Sequence, residues 1–406
     1  MIKTLINIII ISCLVYSLYY GIMAIFAFFK TKKINKNGKL NSFIILVAAR
    51  NEENVISQLI DSLKKQNYDP KKFEIFVIIN NCSDNTELIA KKHGAKTIKC
   101  KTAKCKGDAL KFAFNHLKNK DNDAYLIFDA DNVVHPDFLK HMNNSLNSGY
   151  KVAQGTREIK NIKGNWISSS YAIYYYLQNF FFLRARKNVG LSATINGTGF
   201  MIKKEVIDKI GFNTISLTED IEFSGICALN NIKIDYVEKA ITYDEHPTNF
   251  KISWKQRMRW TKGSLECLNK YSFKLLKNFF KTFSLTNIDI LFLYICPIVQ
   301  VVSFVALLTG IIIDLIYYSL ADFVTIYIIN NALSLIISYL SFVLLSLFVV
   351  LYNKHKVKDF LSGILLFIAF ILSWLPINIV CLFKKKVSWS PIMHTNNISI
   401  NEIIEK

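Results

Sequence analysis

Four long stretches without a charged residue constrain this chain more than any other feature of its sequence. They flank one large polar region, and they are Thr4–Phe29, Ile290–Ile313, Phe323–Asn353 and Leu361–Phe383. At about 1.5 Å per residue, a helix of each length crosses the roughly 30 Å hydrocarbon core of a bilayer. We therefore expect a multi-pass membrane protein whose polar domain of roughly 250 residues is long enough to bury its own core.

Lysines near the first apolar stretch predict its orientation. Only Lys3 precedes the stretch, whereas lysines at 30, 32, 33, 36 and 39 follow it. By the positive-inside rule, the end of this segment and the polar domain behind it face the cytoplasm. The expected location is the plasma membrane, with the polar domain in the cytosol.

The orientation of the C-terminal end is ambiguous in the sequence. Three further spans would leave the tail outside, yet Lys384-Lys-Lys386 directly follows the last apolar stretch and favours the inside. A break at Trp374-Leu-Pro376 would resolve this conflict, because it would make the last apolar stretch a re-entrant hairpin. The predicted organisation is an N-terminal span in 1–30, a polar domain in 31–270, an amphipathic interfacial helix in 271–287, about three spans in 288–383 and a tail in 384–406.

Charge and cysteine content exclude some classes of protein. The formal net charge is +20, but the lysines are spread along the domain and cluster beside membrane segments. The sequence contains no recognisable nucleic-acid-binding module. Attraction to anionic lipid and a basic pocket for a nucleotide diphosphate explain the charge better. The eight cysteines include no C-x-x-C pair, which fits a reducing compartment and gives no zinc pattern.

From Ser42 onward, short aliphatic runs alternate with helical patterns. The predicted strands are Ile44–Val47, Glu74–Ile79, Ala95–Lys99 and Ala124–Phe128, each followed by a helix or a turn. Repeating β-α units of this kind favour an α/β fold with a mostly parallel central sheet. Beyond Asp131 the alternation loosens, and Val152–Gly155 is predicted as an edge strand.

Two carboxylates end the fourth predicted strand. Asp129 and Asp131 lie two residues apart, so both can converge above the sheet edge, where open α/β sheets bind ligands. Hard oxygen ligands there suit Mg²⁺ or Mn²⁺ carrying a phosphate group. The alternative is ordinary turn chemistry, since Asp-x-Asp-Asn also caps strand ends.

Further candidates extend the same chemistry along the chain. Lys106 opens a predicted helix where phosphate could bind, and Asp220 starts another helix as a candidate general base. Arg257, Arg259 and Trp260 could supply a diphosphate clamp and a stacking surface for a sugar. Each has a plainer interpretation: a solvated lysine, a capping carboxylate and an amphipathic helix face.

The order of these pieces resembles the family 2 glycosyltransferases, in the membrane-embedded processive branch that includes cellulose, hyaluronan and poly-N-acetylglucosamine synthases. The resemblance covers about residues 42–270. The matching motifs are Val47-Ala-Ala-Arg-Asn-Glu-Glu53, Asn81-Cys-Ser-Asp84, Lys106-Gly107, Asp129-Ala-Asp131, Gly197-Thr-Gly199, Thr218-Glu-Asp220 and Gln256-Arg-Met-Arg-Trp260. Singly they are weak, but the ordered set is specific.

The resemblance implies a GT-A nucleotide-sugar domain with assigned roles. Ala48 and Glu52 would line the nucleoside site, Asp129 would contact the nucleotide, and Asp131 would hold the metal. Asp220 would deprotonate the acceptor hydroxyl, with inversion at the anomeric carbon. The remaining substrate-binding residues would be Asn80, Lys106, Gly199, Glu219, Gln256, Arg257, Arg259 and Trp260, of which Trp260 would stack on the acceptor sugar.

One departure from the family pattern and one weaker similarity to it matter. Many relatives have an aspartate where this chain has Asn80, which accepts hydrogen bonds less strongly. The sequence therefore predicts metal binding more clearly than it predicts which nucleotide base is recognised. Near the C-terminus, Trp389 and His394-Thr395 are weakly similar to a cytosolic gating segment of relatives.

The expected activity is that of a hexosyltransferase: metal-dependent, inverting transfer from a UDP-sugar to a growing β-linked polysaccharide, processive, with export through the protein's own membrane region. An accessory subunit could take part. One alternative is a single transfer to a lipid or short glycan acceptor. An alternative of another class is a catalytically silent, membrane-anchored module that binds a nucleotide sugar.

Overall fold

A computed structural model describes residues 2–29, 38–161, 165–317, 319, 322, 324–325, 330–385, 387 and 394–404. Its centre is a sheet of eight strands in the order β3-β2-β1-β4-β7-β6-β8-β5. The strands are β1 Phe43–Ala49, β2 Phe73–Asn80, β3 Lys96–Cys100, β4 Ala124–Asp129, β5 Val133–Val134, β6 Val152–Ile159, β7 Phe200–Lys203 and β8 Ile234–Asp244. The four strands predicted before Asp131 are confirmed, each within two residues of its expected ends.

The first half of the sheet is parallel. β1 pairs with β2 and with β4, and β2 pairs with β3, all in parallel. The aliphatic run of β1 is buried because helices cover both faces of the sheet. The carboxyl ends of β1 and β4 therefore meet at one edge, where Ala48 lies directly opposite Asp129.

The second half of the sheet is mixed and corrects one prediction. β6 pairs antiparallel with β7 and parallel with β8, so Val152–Gly155 lies inside the sheet and is not an edge strand. β8, which brings in eleven residues, was not predicted from the sequence. Gly197 and Gly199 have φ of +88° and +63°, and they turn the chain before β7 starts at Phe200.

The helices fill the intervals between the strands and the C-terminal region. They are α1 Ile2–Ile25, α2 Ile56–Lys64, α3 Thr86–Lys92, α4 Lys106–His116, α5 Phe138–Asn147, α6 Trp166–Leu177, α7 Ala185–Asn188, α8 Lys204–Ile210, α9 Glu219–Leu229, α10 Phe250–Thr282, α11 Leu285–Tyr317, α12 Asn330–Tyr352, α13 Val357–Leu372, α14 Trp374–Phe383 and α15 Ile400–Ile404. A π-helical segment, Gln178–Arg184, connects α6 to α7.

α10 crosses the predicted boundary between the polar domain and the interfacial helix. It runs without a break through residues 270 and 271, where the polar domain was expected to end and an interfacial helix to begin. In its second half, Tyr271 and Leu275 are buried, whereas Phe273 and Phe280 are exposed together with lysines 274 and 281.

Within the described part of the chain, four helical segments are long and apolar enough to cross a membrane. They are Ile6–Phe28, Leu285–Ile316, Asn331–Tyr352 and Val357–Phe383, in agreement with the four predicted stretches. Asp289 of α11 forms a buried ion pair with Arg186 of α7 and accepts a hydrogen bond of 2.7 Å from the Tyr19 hydroxyl of α1. The N-terminal segment is thereby attached to α11 and, through Asp289, to α7 of the polar domain.

The last apolar segment is interrupted at Ser373, between α13 and α14. Pro376 accounts for the break, because its ring has no N–H and clashes with the carbonyl four residues earlier. Both ends of this segment contact the polar domain. Before it, His355 Nε2 lies 2.8 Å from the Tyr176 hydroxyl, and after it, the Lys384 carbonyl accepts from Lys262 at 2.8 Å.

Candidate active site

A cavity of about 500 Å³ opens at the carboxyl edge of β1 and β4. It extends from the sheet to α6, α10, α11, α13 and α14, so one wall belongs to the polar domain and the other to apolar helices. Eleven of the thirteen residues singled out from the sequence line it: Ala48, Glu52, Asn80, Lys106, Asp129, Asp131, Glu219, Asp220, Gln256, Arg259 and Trp260. The tertiary structure therefore brings together residues that are up to 212 positions apart.

The two strand-end carboxylates are held differently. The Asp129 amide donates to Thr198 Oγ1 at 3.0 Å, and its side chain faces Lys106. Asp131 is buried, and its Oδ2 accepts from the Glu245 amide at 2.9 Å. Burial acts to raise the pKa of Asp131, but His394 and Lys160 hold it below its usual value, so this carboxylate is kept ionised.

Lys106 lies in the cavity but is engaged with carboxylates. Its Nζ pairs with Asp129 and donates to the Gly197 carbonyl at 2.6 Å, and Glu219 Oε1 lies 3.8 Å away. Burial lowers the pKa of Lys106, yet Asp129 and Glu219 raise it above its ordinary value. The charge of this lysine thus balances the acidic site, and a bound phosphate would have to share it with Asp129.

Glu219 and Asp220 begin α9 and face the cavity together. Burial raises the pKa of Glu219 to about 7, although Lys106 opposes the shift, and it raises the pKa of Asp220 as well. A carboxylate with a raised pKa is a stronger base than an exposed aspartate. Gly197 lies against Asp220, because a Cβ at residue 197 would come within 3.3 Å of Asp220 Oδ2.

The helix α10 separates the residues of the predicted clamp. Gln256, Arg259 and Trp260 are spaced i, i+3 and i+4, share one face and line the cavity. Arg257 is fully buried on another face, where its Nη1 donates to the Phe370 carbonyl at 3.0 Å. Helical periodicity predicts this separation, since residue 257 is rotated about 100° around the helix axis from residue 256.

Gly199 also lies apart from the cavity lining. Its amide donates to the Ile127 carbonyl at 2.9 Å, and a Cβ at this position would come within 2.9 Å of Thr242. Its role in this structure is the close approach of β7 to neighbouring strands. Gly197, two residues earlier in the same motif, is the glycine that lines the cavity.

Several cavity residues were not identified from the sequence. Arg157 from β6 pairs with Asp244 at the end of β8, with Nε 2.8 Å from Oδ2. His246 is buried between the rings of Tyr171 and Tyr175, whose centroids lie 5.2 and 5.0 Å from its own. These residues depend on β6 and β8, and β8 was not predicted, so the sequence alone did not connect them with Asp131.

The C-terminal segment returns to the cavity. His394 Nδ1 lies 3.0 Å from Glu52 Oε2, and the amide of Asn396 donates to Glu245 Oε2 at 2.9 Å. Asp131 and Glu52 raise the pKa of His394 to about 9, against the effect of burial. His394 therefore lies in the cavity as a cation near the carboxylates of Glu52 and Asp131. Trp389 falls outside the described residues.

The residues present fit a divalent cation, although they do not form a complete cage. Among the described residues, no group of three His, Cys, Asp or Glu side chains converges as a metal site. Asp131 nevertheless supplies an ionised carboxylate, and His246 has a buried Nε2 with no hydrogen-bond partner in the described part of the chain. Burial lowers the pKa of His246 to about 3, which keeps its nitrogen available as a ligand.

Together, the mixed sheet and its acidic cavity define a glycosyltransferase of the GT-A fold. Residues 41–263, more than half of the chain, match the family model described as glycosyltransferase like family 2. The protein therefore belongs to this family, as the ordered motifs predicted.

Two groups of curated relatives differ in the reactions for which they are named. β-Monoglucosyldiacylglycerol synthase of Trichormus variabilis is 27% identical over 59% of this chain, and the match spans 53% of that protein. Poly-β-1,6-N-acetyl-D-glucosamine synthase of Staphylococcus epidermidis is 26% identical over 71% of this chain and 69% of its own length. The chain is thus similar to both a glycolipid synthase and a polysaccharide synthase.

One solved structure resembles nearly the whole chain. The mannosyltransferase PcManGT of Pyrobaculum calidifontis, in complex with GDP-Man and Mn²⁺, superposes with a TM-score of 0.63 over 95% of this chain and 100% of its own. Sequence identity is 13%, so the likeness establishes the common fold.

Proposed function

We propose that this glycosyltransferase catalyses the metal-dependent, inverting transfer of a sugar from a UDP-sugar to an acceptor hydroxyl at the membrane surface. The observation that carries the proposal is the position of Asp220. This base lies in one cavity between an acidic wall at the sheet edge and a wall that bears Gln256, Arg259 and Trp260.

In the proposed reaction, Asp220 accepts the proton of the acceptor hydroxyl. The acceptor oxygen forms a bond to the anomeric carbon from the side opposite the diphosphate, and the bond from that carbon to the diphosphate oxygen breaks. Gln256 Oε1 and Arg259 Nε are buried without partners among the described residues, so both are free to hold substrate groups. The raised pKa of Asp220 favours proton transfer near neutral pH.

Asp131 and His246 would hold Mg²⁺ or Mn²⁺. When bound, the cation would neutralise charge on the departing diphosphate. Ala48, Glu52 and Asn80 would surround the nucleoside at the ends of β1 and β2, and Lys106 would keep Asp129 in place while sharing its charge with phosphate. The mannosyltransferase of similar fold was solved with GDP-Man and Mn²⁺, which supports a divalent cation in the site. It does not indicate which nucleotide base this protein recognises.

The position of the cavity supports an acceptor that arrives from the membrane. Leu293 and Gln300 of α11 and Asn378 of α14 line it together with Trp260. Polar side chains on otherwise apolar helices can form hydrogen bonds with a glycan. This supports elongation of a polysaccharide that leaves through the membrane region. The same position suits the headgroup of a lipid acceptor, and a relative named as a glucosyldiacylglycerol synthase supports this second candidate.

The proposed topology places the polar domain in the cytosol. Segment 357–383 begins and ends in contact with that domain, at His355 and at Lys384. Because a polar domain lies on one side of a bilayer, this segment would enter and leave on the same side, as a re-entrant element broken at Ser373. The tail would then lie inside, as its lysines predict.

The test is a screen of radiolabelled nucleotide sugars with membranes that contain the protein, with and without Mn²⁺. Long, water-soluble polymer is expected if the enzyme is processive. Short product that extracts into organic solvent would favour the lipid acceptor. Absence of transfer with every donor would instead favour a silent binding module and overturn the proposal.

A further inference from the structure

Arg257 belongs to the helix turn that carries the cavity residues, but it points away from the cavity. Its side chain is 0% exposed. Its Nη1 donates to the Phe370 carbonyl at 3.0 Å and to Ser373 Oγ at 2.6 Å. The guanidinium carbon also lies 4.4 Å from the centre of the Phe370 ring. All these contacts lie at the interruption between α13 and α14.

That interruption needs an external partner. Pro376 cannot donate to the carbonyl of Leu372, so the last turn of α13 loses part of its own hydrogen bonding. Arg257 provides a charged donor at this turn, and Ser373 Oγ connects back to the Phe370 carbonyl at 2.6 Å. A planar guanidinium can donate and stack at the same time, which a lysine cannot reproduce.

The residue after Ser373 reaches the cavity. Trp374 lines it, with its ring 6.2 Å from that of Trp260 at an angle of 26° and 6.1 Å from that of Tyr174. The Arg257 guanidinium carbon also lies 5.5 Å from the centre of the Trp374 ring, so Arg257 contacts both the junction and the ring that follows it. The direction of the Trp374 ring depends on the backbone that Arg257 holds.

We propose that Arg257 is a positioning residue that fixes the α13–α14 junction, so that Trp374 extends the aromatic surface of Trp260 on the same wall for the acceptor sugar. This inference rests on the proposed transfer reaction. It gives Arg257 a role in acceptor binding, in place of the grip on the diphosphate that the sequence suggested. The paired rings would select an acceptor that presents the apolar face of a sugar.

The kinetic test compares Arg257→Met, Ser373→Ala and the matched control Lys255→Met, which removes an exposed cation from the same helix. The full chain in detergent is assayed with a saturating UDP-sugar and an N-acetylglucosamine tetramer or diacylglycerol as the acceptor probe. We expect the acceptor KM to rise about tenfold to a hundredfold in Arg257→Met, since a charged hydrogen bond is lost, and less in Ser373→Ala. The donor KM should stay within about twofold.

A second measurement does not require activity. Acrylamide quenching of tryptophan fluorescence is compared in the wild type and in Trp374→Phe, so that the difference reports Trp374 alone. Arg257→Met should increase the quenching of Trp374, and Ser373→Ala should do so to a smaller extent. Lys255→Met should leave it unchanged.

The outcomes separate this inference from the proposed function. An increased donor KM with an unchanged acceptor KM would overturn the inference and restore Arg257 to the diphosphate. Unchanged Trp374 quenching in both variants would overturn it as well. If the wild type transfers no sugar, the proposed function fails, while quenching still decides whether Arg257 positions Trp374.

Discussion

The two walls of the cavity are built on different principles. The donor wall consists of charged groups at the edge of the sheet, where Lys106 pairs with Asp129, and His394 and Lys160 balance the charge of Asp131. The opposite wall consists of helices whose aromatic rings face the cavity, among them Trp260 and Trp374. Its polar groups include the amides of Gln300 and Asn378, which bond to each other at 2.7 Å, and it also bears Arg259.

This difference indicates where each part of the specificity arises. Charges at a sheet edge are positioned by backbone hydrogen bonds, so the donor wall is rigid and suits a diphosphate and a cation. The helical wall is positioned by packing between segments that are distant in sequence, including a junction interrupted at Ser373. It suits a neutral acceptor, and changes there should alter acceptor use before donor use.

The strongest test of the comparison lies between the walls, at Asp220. Asp220→Asn keeps the shape of the side chain but cannot accept the proton, so we expect kcat to fall by about 10²- to 10⁴-fold. Binding of UDP, measured by calorimetry, should be preserved. The control is Asp208→Asn, which changes an exposed aspartate on α8. Undiminished transfer would show that another group is the base.

The donor wall is tested at Asp131. Asp131→Asn removes the ionised carboxylate while it keeps an oxygen for the Glu245 amide, and we expect UDP to bind about a hundredfold more weakly in the presence of Mn²⁺. Without the cation, wild type and variant should bind similarly. Asp121→Asn, at an exposed site before β4, is the matched control. If Mn²⁺ strengthened binding equally in both proteins, Asp131 would not be a metal ligand.

The acceptor wall is tested at Trp260. Trp260→Ala should raise the acceptor KM about tenfold because a stacking surface is lost, and Trp260→Phe should recover most of the loss. Initial rates at varied acceptor concentration measure both. Trp254→Phe, on the same helix and outside the cavity lining, should have no such effect. A change in donor KM alone would remove the distinction between the walls.

The smallest effect concerns the pH dependence. Activity should fall as the pH decreases through the pKa of Asp220, because only the carboxylate accepts a proton. Glu219→Gln removes a neighbouring negative charge that disfavours ionisation, so the acidic limb of kcat should move to lower pH, by up to about one unit. The control is Glu205→Gln on the exposed side of α8. A limb that moves to higher pH would contradict this coupling.

Much of the site could be predicted because its signals are local. The β-α alternation and the carboxylates at the end of β4 depend on strand periodicity, and eleven of the thirteen predicted site residues do line one cavity. The contributions of Arg157, Asp244 and His246 could not be predicted, since they depend on the pairing of β6 with β8. That parallel pairing joins segments about eighty residues apart in the sequence. The alternation of side chains along a strand does not indicate which distant strand it pairs with.

By itself, the sequence determined the number and length of the apolar segments, the α/β class and the ordered motifs, because each follows from side-chain periodicity or spacing. Only the tertiary structure decided which charges are paired. Lys106 faces Asp129 and Glu219, and Arg257 faces the junction at Ser373. The reason is physical: a buried charge must find a partner, and the partner available is set by the packing of distant elements.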